Sequence, residues 1–215
     1  MMKIDLHCHT SPLSTCSAIK IHDLIPRAKE AGIDGICLTE HNKLWPRDEV
    51  MRLRERFEFP IFRGMEVTTR DGDILVFGFE EEPAEIISAA ELHKKVSDCG
   101  GFTIVAHPFR GFLVFNFVQL SLSPERAATR PVFQAVDAIE AYNCKINEQE
   151  TQMALDVSAR LGIPCVAGSD AHILADVGKY YTHFSSDTDS DEDLVVQLRT
   201  GNFSIYAPEK GANDV

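Results

Sequence analysis

The sequence predicts an α/β protein built as a small, irregular barrel, and three observations predict it. Short β-rich runs alternate with helix-like stretches, and polar clusters punctuate them. The runs are continuously apolar, as in strands buried on both faces of a parallel sheet. About seven such units share 215 residues, which favours a closed barrel over an open doubly wound sheet, although periodicity alone leaves the second alternative open.

The elements follow in order. Residues 3–6 form the first strand. Residues 19–31 form a helix, because Ile21, Leu24, Ile25 and Ala28 share one helical face and Gly32 stops it. A second strand covers 35–38, entered from Ile33, and a second helix covers 46–57 with Pro46 at its start. Residues 60–67 form a third strand and 74–79 a fourth, reached through a turn at Asp71-Gly72-Asp73. Residues 84–99 are helical and end at Gly100-Gly101. Strands follow at 102–106 and 136–141, then a helix at 146–161 stopped by Gly162, and a strand at 163–167. The tail supplies a strand at 180–184, a helix at 191–199 and a last strand at 203–206. Segment 111–132 interrupts this rhythm. It carries Phe112, Leu113, Phe115, Phe117, Leu120 and Leu122 between glycine and prolines, which predicts a lid over a pocket or a contact with a second subunit.

With 44% hydrophobic and 25% charged residues, the chain suits one globular domain, 1–215, and no linker, repeat or low-complexity tract divides it. Twelve excess negative charges disfavour nonspecific binding to nucleic acid, beyond a short oligonucleotide, or to an anionic membrane. No apolar run approaches the roughly 20 residues of a membrane span, and MMKIDLHCHT lacks a signal-peptide pattern, so the expected compartment is the cytoplasm. The six cysteines are then expected as free thiols, with Cys37 and Cys165 inside apolar runs. The run Glu80-Glu81-Glu82 reads as a solvated loop.

The polar clusters after the strands hold metal-ligand side chains. They are His7-Cys8-His9, Glu40-His41-Asn42, Glu66, His107-Pro108, Glu140 with Asn143, and Ser169-Asp170-Ala171-His172. Five of the eight histidines fall there. In parallel α/β folds the carboxyl ends of the strands share one rim, so residues far apart in sequence converge. Residues i and i+2 of a strand face the same side, so His7 and His9, or Asp170 and His172, can grip one ion. Imidazole with carboxylate suits zinc, manganese or iron. His22, His93 and His183 lie on helices and a strand away from the clusters and read as structural. Arg110 follows His107 by three residues and is a candidate phosphate contact; Lys43 and Lys145 are weaker candidates of the same kind.

DLHCHTSPLS, LTEHN, GMEVTT, AHPFR and GSDAH together resemble the successive motifs of the PHP domain, the polymerase and histidinol phosphatase superfamily. The resemblance runs from Met2 to about Gly178. It implies a distorted (β/α)7 barrel with a metal cluster at the C-terminal rim and hydrolysis of phosphoesters. It further implies that His7, His9, Glu66 and Asp170 hold a first ion, that Glu66 and His107 hold a second with Glu66 bridging, and that His41 and His172 hold a third. Glu40 stands where the family more usually has Asp. Two departures leave one to three divalent ions open. No Asp or His follows the His-x-His motif closely, where Cys16 is the alternative ligand, and no His follows Glu66 within 71–77.

The expected function is hydrolysis of a small phosphorylated metabolite or nucleotide by attack of metal-bound hydroxide on phosphorus. His7, His9, Glu66, His107, Asp170 and His172 serve the chemistry, and Arg110 the substrate. The alternatives are an amidohydrolase-like C–N or C–O hydrolase, which would want a strand-end Lys that the sequence lacks, and a non-catalytic metal-binding regulatory module.

Overall fold

The computed structural model describes residues 1–111 and 123–207. Among the described residues, nine strands form one sheet. They are β1 (Met2–Cys8), β2 (Gly35–His41), β3 (Ile61–Thr69), β4 (Gly72–Phe77), β5 (Phe102–Val105), β6 (Ala138–Tyr142), β7 (Cys165–Ala167), β8 (Tyr181–Phe184) and β9 (Phe203–Tyr206), in the order β7-β6-β5-β4-β3-β2-β1-β8-β9. Around it lie α1 (Ile21–Glu30), α2 (Arg47–Phe57), α3 (Ala89–Asp98), the short α4 (Pro124–Ala127), α5 (Glu148–Leu161) and α6 (Asp191–Thr200).

The sheet closes nearly into a barrel. Beyond β7 the chain runs beside the end of β1, where Asp170 N donates to His7 O at 2.8 Å and His9 N to Ala171 O at 3.1 Å. Only glycine allows this approach: a Cβ on Gly168 would stand 2.7 Å from His7 Cβ and 2.8 Å from His7 N. At the other end of β1, β8 fills the gap, pairing antiparallel with Met2, Lys3 and Ile4 while Thr182 Oγ1 bonds both N and O of Ala167.

The sheet is not uniformly parallel, as the rhythm had suggested. β1-β2-β3 and β5-β6-β7 are parallel triplets. Between them β4 runs antiparallel to both neighbours. The Asp71-Gly72 turn is far too short for a parallel crossover, which needs about a dozen residues or more. β8 and β9 are antiparallel as well.

Alternation along the strands separates the cores. Ile4, Leu6, Cys37, Phe62, Leu75, Phe77, Ile104, Ala138 and Val166 fill the barrel, joined by Leu194, Val195 and Leu198 of α6. The opposite faces pack under the helices. Ile21, Leu24, Ile25 and Ala28 of α1 are buried as their spacing predicts, each large aliphatic chain contributing about 1.5–3 kcal/mol. Two helices begin later than the apolar pattern suggests, because capping decides. Ser88 and Glu91 form a reciprocal capping box at α3, and Asn147 and Glu150 do so at α5.

The loop Glu80-Glu81-Glu82 is more than a solvated charge run. Arg63 points outward from β3 and is only 5% exposed, and it is held by both carboxylate oxygens of Glu80 at 2.7 Å. A buried guanidinium requires such a partner. Glu82 takes Lys43 at 2.6 Å. All six cysteines are free, and Cys165 is only half-buried. The expected lid residues Phe112, Leu113, Phe115, Phe117, Leu120 and Leu122 lie outside the described residues; further along that segment Ala127, Ala128 and Val132 join the core.

Candidate metal centre

A β-bulge aims the first two candidate ligands. In β1, Ile4 and Leu6 face the barrel, so strict alternation would turn His7 and His9 outward. The β1–β2 register slips between Asp5 and Cys8, and the extra residue brings His7 and His9 to the interior side. Asp5 secures the slip: its carboxylate accepts from Ser169 N at 2.8 Å, and from His7 N and Gly178 N at 3.3 Å. Burial pushes the Asp5 carboxyl up.

Five strands, β1, β2, β3, β5 and β7, deliver side chains to one point from their ends or the loops that follow. His7 Nε2 and His9 Nε2 lie 2.9 Å apart. Glu66 Oε2 is 3.4 Å from His7 Nε2, 3.2 Å from His9 Nε2 and 3.0 Å from His41 Nδ1. His107 Nε2 meets Glu66 Oε1 at 2.9 Å. Asp170 Oδ1 is 3.6 Å from His7 Nε2 and 3.4 Å from His9 Nε2. His172 completes a trio of imidazoles with His9 and His41. Among the described residues, four groups have possible ligand atoms mutually within 4.8 Å: His9-His41-His172, His7-His9-Glu66, His7-His107-Asp170 and Glu66-Asp73-His107.

Two of these residues hold unfavourable backbone. His107 has φ 30° and Asp170 φ 51°, the left-handed region that costs a non-glycine residue about 1–3 kcal/mol. Hydrogen bonds hold both: His107 N donates to Glu140 Oε2 at 3.0 Å, and Asp170 N to His7 O.

The electrostatics are complementary. Burial opposes protonation of His7, but Glu140, Asp170 and Glu66 outweigh it and lift its pKa well above the ordinary value. His9 is lifted in the same way against burial by Asp170 and Glu66, and His107 by Glu66 and then Glu140. Burial opposes ionisation of Glu66, yet His7, His107 and His41 hold it well below the usual carboxylate range. Asp170, against the same burial, is held at about 2 by His7 and His9. His172 moves the other way, lowered by burial and by His9.

Glu66 tests the fit to a metal. Its side chain is 1% exposed and Oε2 has no hydrogen-bond partner. Leaving a buried carboxylate oxygen so costs about 1–3 kcal/mol or more. A divalent cation held by that oxygen together with the neighbouring imidazole nitrogens would remove the cost. The donor set therefore fits.

The remaining sequence candidates sort by position. Arg110 is 46% exposed and its guanidinium reaches Asp170 Oδ2 at 3.4 Å, beside the cluster. Lys145 is bound to Asp176 at 2.8 Å and Lys43 to Glu82, so neither is a free cation at the rim. Cys16 is exposed and joins none of the four groups. Glu40 stays out of the cluster; it accepts from Thr10 N and Trp45 Nε1 and pins the loop after His9. His22 packs near Phe57, His93 bonds Thr103, and His183 stacks on Tyr181.

Two residues gain roles that sequence reading did not assign. Glu140 Oε1 takes His7 Nδ1 at 2.8 Å, while Oε2 takes His107 N and Asn143 Nδ2. Its place in a strand-end cluster was the available signal. Asp73 lies at the start of β4, and no signal of that kind existed for it.

Comparison with known proteins agrees with this geometry. A family model described as the PHP domain matches residues 5–99, and one described as PHP-associated matches 148–203. Two uncharacterised proteins of Methanocaldococcus jannaschii are similar in sequence. One is 31% identical over 117 residues, covering 50% of this chain and 68% of the relative. The other is 28% identical over 193 residues, covering 86% and 71%. Among solved structures, PsfC from Pseudomonas syringae matches with TM-score 0.64 at 19% identity, over 96% of this chain and 91% of that one. A candidate metal-dependent phosphoesterase from Bifidobacterium adolescentis gives 0.62 at 16%, over 91% and 95%. An amidohydrolase from Chromobacterium violaceum, solved with sulfate and no metal, gives 0.61 at 16%, over 96% and 98%. With its two matched segments lying on one nearly closed α/β sheet and its five rim motifs meeting at one His/Asp/Glu cluster, this chain belongs to the PHP domain family.

Proposed function

We propose that this protein is a metal-dependent phosphoesterase acting on a small phosphorylated metabolite or nucleotide. The observation that carries the reading is Glu66 Oε2, a buried carboxylate oxygen without a hydrogen bond, ringed by the nitrogens of His7, His9 and His41. Divalent ions held by His7, His9, Glu66, His107 and Asp170, with His41 and His172 at the outer edge, would supply an activated water and neutralise phosphoryl oxygens.

The chain's own groups do the rest. Glu140 holds His7 by Nδ1, so Nε2 faces the cluster in one tautomer. Arg110 stands half-exposed beside Asp170, where a guanidinium can fork two phosphate oxygens. Twelve excess negative charges over the whole chain suit a small anion admitted to a local cationic pocket better than a long polyanion.

The test is a metal analysis of the purified chain coupled to a screen of phosphorylated metabolites with manganese, iron or zinc. Amides and lactones run alongside. Turnover of phosphomonoesters or phosphodiesters is the expected result. Turnover confined to amides or lactones would move the protein to the amidohydrolase reading. Tight metal without turnover of any ester would make it a binding module.

A further inference from the structure

We propose that Asp73 is a metal ligand, forming with Glu66 and His107 an oxygen-rich position that selects manganese or ferrous iron over zinc. The inference rests on the metal-dependent part of the reading above and not on the identity of the substrate.

The register places the side chain. β3 and β4 pair antiparallel with Glu66 opposite Leu75 and Thr68 opposite Asp73. Directly opposed residues share a face, and residues two apart on a strand share one too. Asp73 therefore lies on the face of Glu66, one step nearer the rim than Leu75. Because β4 is inverted, its first residues, rather than its last, stand at the level where β3 and β5 end.

The side-chain atoms agree. Carboxylate oxygens of Asp73 and Glu66 and a ring nitrogen of His107 lie mutually within 4.8 Å. Among the described residues, no side chain forms a hydrogen bond or ion pair with the Asp73 carboxylate. A second observation comes from Glu66 itself: its carboxylate is buried, Oε1 meets His107, and Oε2, beside His7, His9 and His41, has no hydrogen bond, so the group that Asp73 approaches already calls for a cation. Two carboxylates and one imidazole thus meet here, and among the described residues no Lys or Arg is paired to Asp73, a donor set that a divalent cation would match.

Donor chemistry sets the preference. The other end, His9-His41-His172, offers nitrogen only, which suits zinc. Two carboxylates with one imidazole suit harder ions of the manganese and ferrous type. The cluster is thus graded, nitrogen-rich at β2 and oxygen-rich at β4.

The experiment uses the full chain stripped with chelator and titrated with Mn(II), with bound and spin-coupled manganese counted by electron paramagnetic resonance. The expected result is that D73N loses one Mn(II) per chain, or binds it at least about tenfold more weakly, with loss of the coupled signal. D73H, which substitutes nitrogen for oxygen, should keep the stoichiometry and shift zinc–manganese competition toward zinc. If D73N matches the parent in number, affinity and coupling of Mn(II), Asp73 is no ligand. If D73N does not fold, D73H decides alone, and an unchanged competition overturns the proposal. A parent chain that binds no divalent ion would overturn the metal centre itself, an outcome distinct from failure of Asp73.

Discussion

Glu140 is a carboxylate used as a double acceptor. One oxygen takes the His7 ring N–H and the other takes the His107 amide and the Asn143 side chain. A glutamine there can accept on one side only, and its NH2 would face an N–H on the other. E140Q should therefore loosen both His7 and His107 while leaving every direct ligand in place. We expect metal affinity to fall about 10–100-fold in chelator competition; an unchanged affinity would make Glu140 a bystander. Arg110 makes the opposite prediction. It touches Asp170 from outside, at 3.4 Å and half-exposed. R110A should raise KM for phosphorylated substrates by about tenfold or more while metal content stays constant, because a guanidinium contact to phosphate contributes about 1.5–3 kcal/mol. Unchanged steady-state kinetics would return Arg110 to a surface role. The cluster positions were legible in sequence because each histidine or acid follows an apolar run. Glu140 was legible as a member of a cluster but not as a support, since hydrogen-bond partners 133 residues apart leave no local trace.

At the scale of elements, β3 and the loop after β4 share an ion pair with a pH signature. Hydrogen bonds from Arg63, against modest burial, and then from Arg47, hold the Glu80 carboxyl down at about 2. The unfolded chain's value is near 4.5. The folded form therefore binds fewer protons between those two pH values. The stabilisation is complete above about 4.5 and is lost as pH falls toward 2. Urea denaturation should show E80Q less stable than the parent at pH 6, with the gap closing toward pH 2; a gap independent of pH would detach Glu80 from Arg63. Strand identity was legible here, and direction was not. The run 74–79 reads apolar whichever way it points, and only the short turn before it forces the antiparallel pairing. That inversion is why Asp73 escaped a search of strand C-terminal ends.

Over the whole molecule, the cluster draws side chains from β1, from the ends of β2 and β3, and from the loops after β5 and β7. Residues from 7 to 172 thus depend on one nearly closed sheet. Metal binding should raise the stability of that unit as a whole. At free Mn(II) or Zn(II) 100-fold above Kd, the linkage is worth about 2.7 kcal/mol, or roughly 5–10 °C in Tm for a chain of this size. We expect a single thermal transition that moves up with metal and back with chelator; two transitions, only one of which moves, would show that the two matched segments unfold separately. The sequence by itself determined the nine strands of the described residues, the five longer helices and the histidines and acids at the strand ends, but not the short α4, because apolar periodicity and punctuation are local properties of the chain. Tertiary structure alone decided the slip in β1 that turns His7 and His9 inward, the inversion of β4 that brings Asp73 to Glu66, and the sharing of Glu140 between two histidines. Each of these depends on which residues stand opposite one another across strands, and register is settled by closure of the barrel rather than by the order of neighbours along the chain.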